Sequence, residues 1–487
     1  MKKGVFEKIT RVEGSYDFGI LDGKIEPRVI IRCGLPSRIM RNLRGKYPNE
    51  SIHSTQQLSA SSSVAHALAA TTAIEDFLKI TPPIKAQEVR SVLLYLSVIH
   101  AHIIHFYWEI LPDYLNREHL KASQDNLVYY YSVAPRDVEE GDLSLKVGLN
   151  ILQHLKEAKE VCDMLQQSIA IIAGKFPFIM NIIPGGVSNF SFQQKHSLSV
   201  LRKLEQIKGF VESVWPKDVK AVIGDLPHMT TVVDSFQNLI SFGSLNNKGG
   251  GNTPALYSSG VLLDGKLEPL STEKIKTGII YSEGATDLEQ NETSTDSDNL
   301  EYLEQNFSNI IRPARYDGEP MITGALSRML ITHFGGSNPE ISDRIGQMID
   351  DLDLSIDAAN SIASRLLAEV FEGRFYLKSA IKSLLGLNNS ESLNLKRSFD
   401  FSEEGVGIGK VEGPSGSILH KININNEKID SYDVFSEKNW NFSPMDALEK
   451  IGIVEKELNI MEKTDKLDAL NANRLVHSYY LNGLNEI

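Results

Sequence analysis

The chain has 487 residues, 54.2 kDa and 41% hydrophobic residues, which is enough to bury a substantial core. Its 50 Lys and Arg residues against 63 Asp and Glu residues give a formal net charge of -13, which argues against nucleic acid as a partner. The two cysteines, Cys33 and Cys162, are too few for a disulfide framework or for an iron–sulfur cluster held by this chain alone.

The N-terminal 60 residues predict a small β-region. Strand-like alternation covers residues 8–12, 16–21 and 24–31, and the Asp22-Gly23 pair is a turn signal between the last two. The N-terminus lacks a continuous apolar segment, and no run approaches the roughly 20 uninterrupted apolar residues that cross a bilayer. We therefore expect a cytoplasmic protein with no membrane partner.

The middle of the chain predicts long packed helices. Apolar periodicity or Ala- and Leu-rich composition indicates helices over residues 61–78, 84–110, 143–173, 193–214 and 343–385. Gly-rich or acidic, Ser- and Thr-rich composition indicates exposed loops at residues 246–253 and 283–299. Strands at 418–424 and 429–435 and a helix at about 444–458 complete the chain.

These elements predict an α+β fold, a central bundle of long helices with small sheets near both ends of the chain. We expect one domain over residues 1–487. Within it, residues 1–60 are the β-region, residues 61–400 are the helical core with loops near 245–300, and residues 401–487 are a β/α region that closes on the functional site.

Seven segments in chain order resemble one protein family. They are ITRVEG at 9–14, SVAHALAATTAIEDFL at 63–78, IHAHIIHFYWEILPDYL at 99–115, IIPGGV at 182–187, ARYDGEPMITGALSRML at 314–330, GVGIGKVEGPSGSILH at 405–420 and NWNFSPMDAL at 439–448. Together they are similar to the large subunit of nickel–iron hydrogenases, especially the soluble archaeal type that reduces viologen or deazaflavin. Any one segment alone is weak, but their order and spacing are specific. The resemblance implies the hydrogenase large-subunit fold.

The resemblance also implies a nickel–iron site held by four cysteine thiolates, two in each of two C-x-x-C motifs. Counting back from His66 places Ser59 and Ser62 at the first pair, and counting back from His477 places Asn471 and Arg474 at the second. Hydroxyl and amide oxygens are poor substitutes for soft thiolates as nickel ligands. This chain is therefore identified as a degenerate member with no metal ligands, no catalytic residues and no cofactor of its own.

Other parts of the expected pocket are kept or changed. RVEGS at 11–15 keeps, as Glu13, the carboxylate that resembles the family's proton-transfer glutamate, and His66 and His477 are kept as well. Ser415 stands where the family has the arginine above the iron's diatomic ligands. Unpaired polar groups in a buried pocket are costly, so we expect the Arg474 guanidinium to fill it by donating to Glu13, Ser59 and Ser62.

Several residues admit a second interpretation. His66, His100, His102 and His105 could bind a metal, but on apolar helices such residues more commonly satisfy local hydrogen bonds or border a partner. Gly249 to Gly251 lack the Gly-Lys-Ser/Thr of a phosphate-binding loop, which favours a flexible connection. The serine run at 61–63 has no evident base for a nucleophile, so cysteine replacement explains it more simply.

The leading functional hypothesis is a non-catalytic structural subunit. By resemblance it binds a hydrogenase small-subunit-like protein that carries iron–sulfur clusters in an electron-transfer complex, with heterodisulfide reductase or flavin-containing subunits as candidate further members. A second hypothesis is that the vacated pocket binds an organic cofactor or a quinone-like ligand. A third is a scaffold for assembling an iron fragment, although the pocket lacks the thiolates that such a role needs.

Overall fold

We describe a computed structural model of the chain. It describes residues 5–7, 10–11, 14–21, 24–31, 35–123, 141–188, 194–231, 238–244, 256–277, 313–356, 359–387, 392–395, 398–446 and 448–479.

The N-terminal strands form the predicted small sheet. Strand β1 pairs with residues 18–20 of β3, and β2 pairs with residues 14–15 of β3. Strand β4 also pairs with β3, and all three pairings are antiparallel. The register joins Leu21 to Lys24 across the predicted turn at residues 22–23. The strands are β1 Val5–Glu7, β2 Thr10–Arg11, β3 Gly14–Leu21 and β4 Lys24–Ile31.

Helices dominate the described residues between 35 and 230. They are α1 Leu35–Leu43, α2 Glu50–Ser54, α3 Ser63–Phe77, α4 Ile84–Ile104, α5 Arg117–Ala122, α6 Leu145–Leu152, α7 Leu155–Ala173, α8 Gln194–Gly209 and α9 Trp215–Asp225. Single turns of other helical types lie at Thr55–Leu58, His105–Ile110, Leu111–Asp113, Phe210–Val214 and Pro227–Thr230. The short hairpin of β5 Ile182–Ile183 and β6 Gly186–Val187 contains the Pro-Gly-Gly turn.

The second half alternates small sheets with helices. Strands β7 Leu239–Ser241, β8 Gly260–Leu263 and β9 Lys266–Glu268 form one sheet, and β10 Ile275–Thr277 pairs with β11 Ala314–Tyr316. A three-stranded antiparallel sheet contains β12 Gly405–Glu412, β13 Ser417–Asn425 and β14 Lys428–Phe435. The helices are α10 Ala325–Phe334, α11 Pro339–Leu352, α12 Ile362–Gly386, α13 Glu437–Asn441, α14 Ile453–Lys463 and α15 Ala469–Ser478, and a short helical turn lies at Thr272–Lys274. This content confirms the α+β class.

The close packing of helix α3 against strand β12 places the N-terminus of α3 deep in the protein. A Cβ atom at Gly407 would lie 2.0 Å from the carbonyl oxygen of Ala73, and one at Gly409 would lie 1.9 Å from that of Ala69. Only glycine permits backbones to approach this closely. The core that surrounds this contact is continuous and includes apolar residues from Ile39 to Tyr479.

Helix α4 and the turns after it, Ile84–Asp113, are long and apolar enough to cross a membrane by length and composition, with a mean hydropathy of 1.4. However, 89% of an apolar 18-residue stretch within it is buried inside the protein. Helix α4 packs against α7 and α12. A central helix of a folded domain passes the same test, so this segment is weak evidence for a membrane span.

The predicted element boundaries are wrong in several places, including 143–173, which is two helices, α6 and α7. The helix predicted at 343–385 is two helices, α11 and α12, because α11 ends at Asp353 in a left-handed conformation with φ 52° and Ser361 caps α12. The helix predicted at 444–458 begins only at Ile453. The sequence does not predict strand β12, since its alternating glycines weaken the strand signal. The predicted loops at 246–253 and 283–299 both lie wholly outside the described residues.

Candidate functional site

Ser59 and Ser62, the two residues predicted to replace the first cysteine pair, lie just before helix α3 and are buried. The chain is extended at Ser59, with φ -160° and ψ 128°. Its hydroxyl lies 3.1 Å from the hydroxyl of Ser61 and accepts a hydrogen bond from the backbone N–H of Ser62 at 3.3 Å. Ser59 and Ser62 therefore lie in one turn, in which the Ser59 hydroxyl contacts both Ser61 and the backbone of Ser62.

A buried carboxylate joins two positions that the sequence assigned to the same pocket. Ser62 Oγ donates to Glu437 Oε1 at 2.7 Å, and Ser415 Oγ donates to the same oxygen at 2.9 Å. Glu437 is the first residue of α13 and is 2% exposed. We call Ser59, Ser62, Ser415 and Glu437 the serine–glutamate cluster. It brings together three of the predicted site residues.

Sequence reasoning missed Glu437 altogether. The residue lies two positions before the NWNFSP segment, outside every segment that carried the resemblance. Beside it, Lys438 is also buried, at 5% exposed. In the described part of the chain, neither Glu437 Oε2 nor Lys438 Nζ has a hydrogen-bond partner. The site therefore contains two buried, charge-bearing atoms whose hydrogen bonding is incomplete.

His66 lies one turn into α3 and begins a buried chain of polar groups. Its Nδ1 is 2.9 Å from His420 Nε2, and His420 Nδ1 is 2.8 Å from the hydroxyl of Tyr432. Burial lowers the pKa of His66 to about 4, with Glu437 opposing the shift, and burial lowers the pKa of His420 well below its ordinary value of 6.5. Both imidazoles are therefore neutral near pH 7.

The two C-terminal positions do not join the cluster. The backbone N–H of Asn471 donates to the capping carboxylate of Asp468 at 2.7 Å, and its side-chain amide donates to Asp468 at 2.8 Å and to the Lys466 carbonyl. Asn471 thus serves the first turn of α15. Arg474 donates to Asp142 at 2.6 Å and to the backbone carbonyl of Asp113 at 3.1 Å.

The prediction that Arg474 fills the pocket is therefore wrong for Ser59 and Ser62. Its guanidinium also lies 4.3 Å from the ring centroid of Tyr114, which together with the Asp113 and Asp142 contacts fixes it on the other side of α15. Counting residues gave the position along the chain but not the face of the helix. The Glu13 part of this prediction lies outside the described residues.

His477, predicted as a retained pocket residue, is buried and held by Asp113, whose carboxylate accepts from its Nδ1. The backbone carbonyl of His477 accepts from His105 Nε2 at 2.8 Å, and His105 Nδ1 donates to Glu369 at 2.9 Å. Because both ring nitrogens face oxygen acceptors, this arrangement favours the imidazolium form of His105. Burial disfavours this charge, but Glu369 outweighs burial and raises the pKa of His105.

The histidine network continues into a chain of buried charges that the sequence did not reveal. His102 Nε2 donates to Glu372 at 2.7 Å. Arg328 donates to both oxygens of Glu372, at 2.6 and 2.8 Å, and to Glu412 at 2.8 Å. Glu412 also accepts from Ser417 Oγ at 2.6 Å. We call His102, Glu372, Arg328 and Glu412 the buried ladder. Their hydrogen bonds hold α4, α10, α12 and β12 together.

The four helical histidines make the side-chain hydrogen bonds that the sequence favoured for them. Each has a local partner, since His66 contacts His420, His100 contacts Gln166 at 3.0 Å, and His102 and His105 contact carboxylates of α12. Within the described ranges, no group of three or more His, Cys, Asp or Glu residues is arranged to hold a metal ion. Cys162 lies buried in α7, and Cys33 is outside the described residues.

Replacing Glu437 tests whether the serine–glutamate cluster holds the site together. Glu437→Ala removes the acceptor for two buried hydroxyls, and we expect it to lower the free energy of unfolding by about 2 kcal/mol. Glu437→Gln keeps one oxygen acceptor and should cost less than about 1 kcal/mol. Denaturant unfolding of both variants measures the difference. Equal stability of wild type and Glu437→Ala would mean that the bridge contributes nothing.

A family model described as nickel-dependent hydrogenase matches residues 39–127 and 136–480. Among curated proteins, the periplasmic NiFeSe hydrogenase large subunit of Desulfomicrobium baculatum is 25% identical over an alignment that covers 97% of this chain and 92% of that protein. The quinone-reactive Ni/Fe-hydrogenase large chain of Wolinella succinogenes is 24% identical, with 98% and 94% covered.

Solved structures of hydrogenases also have the same fold as this chain. The Ni-Fe-Se hydrogenase of Desulfovibrio vulgaris Hildenborough in its oxidised state superposes with a TM-score of 0.76, at 21% identity, and covers 99% of this chain and 98% of that one. A reduced, active form of the Ni-Fe-Se hydrogenase from Desulfomicrobium baculatum gives a TM-score of 0.73 at 20% identity, with 98% of each chain covered. The predicted hydrogenase large-subunit fold is confirmed.

These matches correct the prediction that the chain has no cofactor. The matching family is nickel-dependent and its members include Ni/Fe and NiFeSe enzymes, so the family points to a nickel cofactor. The residues described at this site do not fit a thiolate-held nickel–iron pair, because the serine–glutamate cluster offers three hydroxyls and one carboxylate. These are hard oxygen donors, whereas that centre is stabilised by soft sulfur ligands.

Proposed function

The chain belongs to the nickel-dependent hydrogenase family, and on that premise we propose that it is a large subunit that does not itself activate dihydrogen. In this proposal it binds a small subunit that carries iron–sulfur clusters and serves as a structural member of an electron-transfer complex. One observation carries the proposal: Ser62 and Ser415 both donate to the buried Glu437 carboxylate, where the family's metal ligands are expected.

The chemistry of that cluster supports the loss of activity. Hydrogen activation at a nickel–iron pair depends on thiolates that donate charge to nickel through its redox changes. Hydroxyls and a carboxylate already hydrogen-bonded to one another cannot supply that charge. The chain nevertheless resembles the family over most of its length, because the family match runs from residue 39 to residue 480 with one gap.

The proposal that the chain binds a partner subunit rests on how much of the large-subunit sequence it retains. The relatives described above are named as a large subunit and a large chain, which are parts of assemblies. We propose that the partner is a hydrogenase small-subunit-like iron–sulfur protein, with heterodisulfide reductase or flavin subunits as further members. We also propose that the complex is of the soluble archaeal type and lies in the cytoplasm.

The space beside the cluster does not favour the organic-cofactor alternative. Ser415 lines a cavity of about 40 Å³. Pockets for organic ligands are usually at least about 300 Å³. A quinone or flavin ring would therefore require the surrounding helices to move apart.

Purification of the tagged full-length chain from its native cells tests both parts of the proposal. We expect an iron–sulfur protein to co-purify in a fixed ratio, and we expect no hydrogen-dependent reduction of viologen by the complex. An active hydrogenase of the same family, assayed in parallel, controls for inactivation during handling. Dye reduction traced to this polypeptide would overturn the loss of activity, and a chain that purifies alone would overturn the partner.

A further inference from the structure

One segment of the chain has a charge opposite in sign to that of the whole chain. Residues 27–49 contain six basic residues and no acidic one, in a chain with a formal net charge of -13. The six are Arg28, Arg32, Arg38, Arg41, Arg44 and Lys46. Because acidic residues outnumber basic ones over the chain as a whole, this run is a local concentration of positive charge.

The structure places three of these arginines together on helix α1 and the turn after it. Arg38 and Arg41 lie on α1, about one helical turn apart, and Arg44 follows the end of the helix. All three are exposed, and no side-chain hydrogen bond or ion pair engages them in the part of the chain that is described. We call Arg38, Arg41 and Arg44 the arginine patch. At its edge, Lys46 lies 4.0 Å from Glu50, so the uncompensated charge belongs to the arginines.

The backbone beneath the arginine patch is held in place. Ile39 and Leu43 of α1 are buried in the main core, and α1 packs against β14. After the helix, the N–H of Gly45 donates to the Ile429 carbonyl at 2.7 Å, and the N–H of Ile429 donates to the Lys46 carbonyl at 2.9 Å. A partner that binds the patch therefore does not have to order this backbone, which lowers the entropic cost of association.

Stabilisation of the helix does not account for the arginine patch. A cation near the C-terminus of a helix interacts favourably with the helix dipole, which explains Arg41 and Arg44. Arg38 lies in the first half of α1, where that interaction is absent. Arg38 and Arg41 are also like charges three residues apart, and neighbouring like charges on a helix surface destabilise the helix. Exposed arginines that the fold does not need indicate a role in binding.

The residues beside the patch favour a protein as the binding partner. Tyr47 is 55% exposed, and Lys428 Nζ lies 3.0 Å from the centroid of its ring, which adds a positive charge from β14. Arginine and tyrosine are both enriched in protein–protein interfaces. The planar guanidinium group binds a carboxylate through two parallel hydrogen bonds. The surface therefore matches a partner that presents carboxylates.

We propose that the arginine patch, with Tyr47 beside it, is the docking surface for a carboxylate-rich segment of another protein. A nucleic acid or an anionic membrane extends beyond the patch and would meet the acidic remainder of the chain, which repels it. A short acidic segment contacts only the patch, within the ~8 Å over which charges interact at physiological ionic strength. The inference goes beyond the proposed iron–sulfur partner and holds whether or not that subunit binds.

Fluorescence anisotropy of a labelled peptide of about ten glutamates, titrated with the purified full-length chain in about 50 mM NaCl, tests the proposal. The unlabelled competitors are the same peptide, single-stranded DNA with the same number of charges, and phosphatidylserine vesicles. We expect saturable peptide binding that weakens as the salt concentration rises, and we expect the unlabelled peptide to be the most effective competitor per charge. Absence of saturable binding, or more effective competition by DNA or vesicles, would overturn the proposal.

Reversal of charge locates the binding. The variant Arg38→Glu/Arg41→Glu/Arg44→Glu keeps the buried face of α1, since Ile39 and Leu43 are unchanged. We expect at least about tenfold weaker peptide binding, because three attractive pairs become three repulsive ones. Circular dichroism and thermal unfolding establish whether the variant is folded. If it is not folded, Arg41→Glu alone takes its place, with an expected loss of about threefold.

The matched control reverses three exposed basic residues on three other helices and so changes the net charge by the same amount. These are Arg202 on α8, Lys217 on α9 and Lys382 on α12, each replaced by Glu. We expect peptide binding within about twofold of wild type, because exposed charges more than a screening length from the patch contribute little. The control for Arg41→Glu is Lys217→Glu. An equal loss in a patch variant and its control would overturn the site, since affinity would then follow total charge.

Discussion

Replacement of Arg328 by methionine is expected to prevent the protein from accumulating in folded form. Arg328 is 0% exposed and donates to Glu372 and Glu412 at 2.6 to 2.8 Å, so its loss leaves two buried carboxylates without their cation. Breaking a buried pair by removing one partner costs about 3–5 kcal/mol, and here two pairs share the arginine. A natural domain has only about 5–15 kcal/mol of stability in total.

The control is an ion pair of the same residue classes at the surface. Lys378 contacts Glu340 at 3.1 Å with 69% of its side chain exposed, so Lys378→Met should change the free energy of unfolding by less than about 0.5 kcal/mol. Soluble yield and thermal unfolding of both variants in the same buffer provide the comparison. An Arg328→Met protein as stable as Lys378→Met would contradict a central role for the buried ladder.

The same ladder contributes to acid stability. Burial alone would raise the pKa of Glu372, but Arg328 and His102 outweigh burial and lower the pKa from 4.5 to about 2. Because the folded pKa is below the unfolded one, the contribution of Glu372 is complete above pH 4.5 and is lost as the pH falls toward 2. The wild type should therefore lose stability over that window, which denaturant unfolding at a series of pH values measures.

The sequence predicted the helices of the candidate site better than it predicted which of its side chains meet. Counting back from His66 named Ser59 and Ser62, and the structure has both just before α3; that they replace cysteines stays a prediction. Arg474 failed because the face that it occupies on α15 depends on Asp142 and Tyr114, which no local pattern connects to it. The position of a residue along a helix was predictable, but the direction in which its side chain points was not.

The buried charges show a second limit of sequence reasoning. Arg328 lies 44 residues from its partner Glu372 and 84 residues from its partner Glu412 along the chain. None of the three lies in a motif of catalytic spacing. Charged residues usually lie at surfaces, so each alone predicts an exposed position. Only the packing of α10 against α12 and β12 makes them partners. Glu437 was missed for the same reason.

Replacement of Gly409 by alanine should also destabilise the fold strongly. The new Cβ would lie 1.9 Å from the carbonyl oxygen of Ala69 and 2.6 Å from the backbone nitrogen of Ala73. Both are backbone atoms of a buried helix, so no side-chain rotation relieves the overlap, and β12 must separate from α3. We expect a loss of about 3 kcal/mol or more in the free energy of unfolding.

Gly346→Ala is the matched control, since it adds the same methyl group elsewhere. Gly346 lies in the middle of α11, and no heavy atom lies within 4 Å of the position that a Cβ atom would take there. Alanine is the better helix former there and should stabilise the protein by about 0.5–1 kcal/mol. Opposite signs for the two substitutions in denaturant unfolding would establish that contact with α3, and not glycine content, sets the cost. Because α3 begins at the serine–glutamate cluster, a folded Gly409→Ala protein of unchanged stability would mean that this contact does not position the site.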